Sequence, residues 1–136
     1  MISKEEYTKT RDRALEYLKS AKIVLTPEEI RRLEIADFGL GRLEEIGLEI
    51  NTYVNTERVC AKEIVMFPYQ ICPEHLHPTV GSQPGKEETF RCRWGEVRLY
   101  IPGKATTPFL GRLPAGPGLL STVGGIGFVD LGSRAT

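Results

Sequence analysis

The hydrophobic pattern changes period partway along the chain, and this change constrains the fold more than any other feature. Residues 3–20 contain neither Gly nor Pro, and Tyr7, Ala14, Leu15 and Leu18 form an apolar stripe at helical spacing. A second helix is marked by its start. Thr26 supplies an N-cap, Pro27 takes the first helical position and Glu29 completes a capping box. Ile30, Leu33 and Ile35 extend that helix, which is expected to stop before Gly39 or Gly41. From Leu48 the period becomes two. Leu48, Ile50 and Val54 alternate with more polar residues, and 58–67 is a second β segment. Segments 88–94 and 96–101 flank Gly95, which suits a hairpin, and Pro102-Gly103 closes it. The pattern predicts a mainly β chain in which short N-terminal helices precede an antiparallel body.

Composition excludes several classes. At 136 residues and 15.2 kDa the chain is the size of one domain and can bury a core without disulfides. Eighteen Lys and Arg balance eighteen Asp and Glu, so the basic excess of a nucleic-acid binder is missing. No apolar run reaches 18 residues, and the start, Met1-Ile2-Ser3-Lys4-Glu5-Glu6, is too polar for a signal-peptide core. We expect no membrane association and a cytoplasmic location. Cys60, Cys72 and Cys92 are odd in number and form no CxxC pair, so they read as reduced thiols buried as small hydrophobes. Charge is unevenly spread. Between Gly111 and Thr136 the only charged residues are Arg112, Asp130 and Arg134, while seven of the 14 glycines fall there. Leu119–Val123 and Ile126–Leu131 are weak strand candidates in that tail, and the lack of charged gatekeepers argues against a well-formed edge strand.

The residues that carry chemistry sit in Cys72-Pro73-Glu74-His75-Leu76-His77-Pro78, which holds both histidines of the chain. Two histidines separated by one residue on an extended segment project to the same side. Alone, such a pair is as consistent with a surface as with a site. Glu88 adds an acid eleven residues after His77, and six residues separate it from Gly95. His, His and carboxylate form a mixed N/O set suited to Mn²⁺, Fe²⁺ or Zn²⁺ with positions left open for substrate.

This arrangement, HxH, then Glu, then six residues and Gly, resembles the first metal-binding motif of the cupin superfamily, with a longer gap at 78–87. The longer form looks like the short D-lyxose isomerases. It is accompanied in order by Ala21-Lys22-Ile23-Val24-Leu25-Thr26, Asp37-Phe38-Gly39-Leu40-Gly41, Tyr53-Val54-Asn55-Thr56 and Lys62-Glu63-Ile64-Val65-Met66-Phe67-Pro68. The resemblance covers roughly residues 15 to 110. It implies a cupin-type, jelly-roll-like antiparallel β-barrel with His75, His77 and Glu88 as metal ligands and Mn²⁺ as the ion. It further implies interconversion of D-lyxose and D-xylulose, with D-mannose and D-fructose as a second pair, and a homodimer. The bound ion would acidify the C–H between the two sugar oxygens, and an acid/base pair would carry the proton.

Lys62, within an apolar β segment, is a candidate contact for substrate oxygens or a rim lysine reaching solvent. Glu74 is a candidate general base, although strand neighbours face opposite sides. Glu87 meets the same objection beside Glu88. Arg91 and Arg93 read as solvated charges, and Trp94 as packing. A cupin also supplies a third histidine from a later Pro-x-Gly-x-x-His motif, and no histidine follows His77. Residues 1–110 therefore read as helices plus the first part of a barrel, incomplete at the C-terminus. Residues 111–136 read as a divergent Gly-rich tail of the kind a reading-frame shift produces. Two other readings remain: a non-catalytic cupin binding module lacking its second motif, and an Fe²⁺ oxygenase using the same triad.

Overall fold

The computed structural model describes residues 1–75 and 77–100 and the backbone of 101–102 and 126–130. The chain divides into two compact units, Met1–Pro73 and Glu74–Thr136. In the first, α1 spans Lys4–Ser20 and α2 spans Pro27–Arg32. Both start on capping boxes. The Glu6 N–H donates to Ser3 Oγ at 3.1 Å, and the Glu29 N–H donates to Thr26 Oγ1 at 3.2 Å. The Thr26 N–H returns a bond to Glu29 at 2.7 Å and, with the Thr26 hydroxyl, holds that carboxyl below the usual carboxylate range. Such caps satisfy orphan amides of the first turn, each contributing about 1 kcal/mol.

Helix α2 is shorter than its apolar spacing suggests. It ends at Arg32, Leu33 turns extended (ψ 123°), and Glu34–Ala36 becomes β1 instead of a last helical turn. The reason is tertiary. β1 pairs antiparallel with β2 (Leu48–Asn55), Ile35 opposite Glu49, so strand pairing satisfies backbone groups that the helix would otherwise have used. The Tyr7 hydroxyl on α1 donates to the Leu33 carbonyl at 2.7 Å and fastens this junction. β2 also pairs with β3 (Cys60–Val65), with a bulge between Thr52 and Val54, completing a sheet of order β1-β2-β3.

The core sits between α1 and this sheet. Ala14 and Leu18 pack with Leu33, Val65 and Phe67. Burying a Leu or Phe side chain contributes roughly 1.5–3 kcal/mol. The Phe67 ring lies 5.5 Å from Tyr17, and the Arg13 guanidinium stands 3.8 Å above it. Leu48 and Ile50 are buried as the alternation predicts, whereas Val54 is exposed. Between them, Glu49 is fully buried, against the expectation of a polar face. Glu49 pairs across the sheet with Val65, a member of the α1 core, so it lies on the face that α1 covers.

Gln70 holds the polar groups enclosed there. Its Oε1 accepts the Phe67 N–H at 2.8 Å, and its Nε2 donates to the Leu43 carbonyl at 2.7 Å and to Glu49 Oε1 at 3.1 Å. Gly47 lies against this network. A Cβ there would come within 2.6 Å of Leu43 Cδ1 and 2.8 Å of Gln70 Nε2.

In the second unit the anticipated hairpin around Gly95 does not form. Residues 88–94 adopt no strand, and β4 (Arg98–Pro102) pairs antiparallel with β5 (Ile126–Asp130). Local bonding competes with the ladder: the Cys92 thiol donates to the carbonyls of Trp94 and Gly95, curling the chain where Gly95 is left-handed (φ +77°). The β5 strand forms in the charge-poor tail because β4 supplies five paired positions. The other tail candidate, Leu119–Val123, lies outside the described residues. The described strands thus make open antiparallel sheets, consistent with part of a cupin-like fold. Cys60, Cys72 and Cys92 are free thiols, but not the buried hydrophobes expected. Cys60 opens an edge strand and is exposed, and the others lie half-buried in loops. No helix among the described residues is long and apolar enough to cross a membrane.

Candidate metal centre

His75, His77 and Glu88 all lie in the second unit. Pro73 and Pro78 bracket the two histidines, and each proline disfavours helical backbone at the residue before it, here Cys72 and His77. The two imidazoles come together with ring centroids 5.2 Å apart and planes nearly perpendicular, at 89°. The chain then reverses. Val80 and Gln83 exchange both backbone hydrogen bonds, at 3.0 and 3.1 Å, around Gly81 in the left-handed region (φ +62°). This reversal returns Glu88 to the histidines.

Glu88 Oε1 lies 3.0 Å from His77 Nε2, and Oε2 lies 4.0 Å from His75 Nε2. Among the described residues, His75, His77 and Glu88 form the one group of three potential donors whose ligand atoms all lie within 4.8 Å of one another. The side chains are 46%, 38% and 41% exposed, so a small molecule can reach the donors from solvent. Two neutral imidazoles with one carboxylate suit a divalent first-row ion and leave positions for oxygen ligands. The donor set therefore fits the ion that the sequence pattern implies.

The other sequence candidates do not join this group. Glu74 is exposed beside His75 but contributes no donor atom to the cluster. Lys62 belongs to the first unit, exposed on β3 opposite Thr52. Arg91 and Arg93 are exposed, as expected, while Trp94 is half exposed rather than packed. One residue that touches the site went unread: Gly85, whose backbone lies against the His77 carbonyl. Pro84-Gly85 signals a loop in sequence, but nothing local reveals which strand of the loop it meets.

No family model matches the chain. It is similar to the D-lyxose ketol-isomerase of Thermofilum sp., 56% identical over 114 residues, which are 84% of this chain and 63% of that protein. It is similar to the D-lyxose ketol-isomerase of Cohnella laeviribosi, at 52% over 118 residues, 87% of this chain and 65% of that one. The D-lyxose/D-mannose isomerase of Thermosediminibacter oceani is 54% identical over 106 residues, 78% of this chain and 59% of its own length. The chain thus spans 59–65% of the length of these curated relatives.

Proposed function

We propose that this chain carries the metal-binding part of an aldose–ketose isomerase that interconverts D-lyxose and D-xylulose, with D-mannose and D-fructose as a second pair. The observation that carries the reading is the convergence of His75, His77 and Glu88 in a chain whose aligned residues are 52–56% identical to proteins named D-lyxose ketol-isomerase or D-lyxose/D-mannose isomerase. Those three residues would hold the ion, Mn²⁺ by preference. When bound, the ion supplies Lewis acidity toward the adjacent carbonyl and hydroxyl oxygens of an open-chain sugar.

The chain's own groups do the rest. His77 Nε2 and Glu88 Oε1 stand 3.0 Å apart, close enough for both to face one ion, and the exposed side of the cluster admits the sugar. Glu74, three residues before His77, offers a carboxylate to take the proton from one sugar carbon and return it to the next. This role is part of the proposal.

The test is a coupled assay for D-xylulose formation from D-lyxose with added Mn²⁺, run beside His77→Ala. We expect activity that disappears on chelation and in the variant. Activity that survives both rules out the metal mechanism. Wild-type chain that binds Mn²⁺ without turning over sugar points instead to a non-catalytic binding module.

A further inference from the structure

The ligand set is held together by an odd contact. After the turn at Val80–Gln83 the chain runs back beside His77, and there Gly85 lies so close that an added Cβ would overlap the His77 carbonyl oxygen and come within 3.0 Å of its carbonyl carbon. Gly85 is not in the left-handed region, so glycine is needed here for space and not for backbone freedom. Gly81, at the tip, is the reverse: its φ is +62° and nothing stands within 4 Å of an added Cβ.

From these two glycines we infer that segment 78–87 is a clasp and that Gly85 is a positioning residue for the metal ligands, an inference that rests on the metal reading above. The Val80–Gln83 bridge closes the clasp, Gly85 seats its return strand on the backbone of His77, and three residues later Glu88 meets the His77 imidazole at 3.0 Å. Without the clasp, ordering Glu88 beside two histidines would have to overcome the conformational freedom of the ten residues from Pro78 to Glu87. A side chain at position 85 forces the two segments apart. Metal–ligand distances tolerate only about 0.2 Å, so the three donors no longer converge. Loss of such a supporting contact typically weakens metal binding about 10–100-fold.

The experiment compares Mn²⁺ affinity, read by electron paramagnetic resonance of the free ion, for the intact chain, Gly85→Ala and Gly81→Asn. Asn tolerates left-handed backbone, so Gly81→Asn keeps the turn. We expect Gly85→Ala to bind about 10–100-fold more weakly and Gly81→Asn to bind within about threefold of wild type. A second measurement needs no variant. Adding Zn²⁺, a diamagnetic stand-in, should slow hydrogen exchange at the Val80 and Gln83 amides about tenfold or more, because a clasp coupled to the ligands is stabilised when they bind. Equal Mn²⁺ affinity in wild type and Gly85→Ala overturns the clasp alone, as does Zn²⁺ binding that leaves both amides unchanged. Wild-type chain that takes up neither ion overturns the metal site and the clasp together.

Discussion

Replacing the buried acid, Glu49→Gln, should remove a pH dependence from the stability of the chain. Glu49 is 0% exposed. Its burial pushes the carboxyl up from 4.5 to about 7, against the opposing pull of the Gln70 amide and of the Arg13 guanidinium. Arg13 is largely committed elsewhere, to Glu44 at 2.8 Å and to the face of Phe67. Glu49 Oε2 is buried with no hydrogen-bond partner, so the ionised form gains only one donor in place of water. The folded state therefore holds the proton more tightly than the unfolded chain. The resulting stabilisation is fully present below pH 4.5, shrinks as pH rises toward about 7, and is gone above it. A tenfold difference in proton affinity is worth about 1.4 kcal/mol, so the interval amounts to ~3 kcal/mol. Gln is nearly isosteric, keeps an acceptor for Gln70, and has no proton to lose. Urea unfolding followed by far-UV circular dichroism at pH 5 and pH 8, for both proteins, isolates the effect as a difference of differences. We expect the wild type to lose ~3 kcal/mol more than the variant between those pH values. Curves that shift in parallel, within about 0.5 kcal/mol, would refute the burial argument.

Two further outcomes follow from the same unit. Gly47→Ala drives a methyl into Leu43 and Gln70 and should destabilise by about 1–3 kcal/mol or more, measured as a drop in urea midpoint. Thr26→Ala removes the cap of α2 and should cost about 1 kcal/mol, visible in the same titration, because the Glu29 amide loses its Oγ1 acceptor and the Glu29 carboxylate loses the hydroxyl donor.

Much of the candidate site was legible because its signals are local. Two histidines stand one residue apart between two prolines, and Glu88 stands at a countable distance. The cap of α2 was legible for the same reason, being decided by four consecutive residues, whereas the Ser3–Glu6 box of α1 went unread. What failed was anything decided by a partner far along the chain. Ile35 continues a helical stripe, yet it joins β1 because β2 is there to pair with it. Residues 88–94 alternate like a strand, yet remain unpaired in a ladder while β4 finds β5.

Sequence by itself therefore determined where the chain turns helical, where its period becomes two, and which three side chains have the chemistry to hold a divalent ion. Only the tertiary structure decided that Glu49 is a buried acid, that Gln70 bonds the Phe67 amide, the Leu43 carbonyl and Glu49 together, and that Gly85 must be glycine. Propensity, capping and donor chemistry are properties of a few adjacent residues. Burial and close backbone approach are properties of which distant segments come to lie together, and the hydrophobic pattern of either segment alone does not contain them.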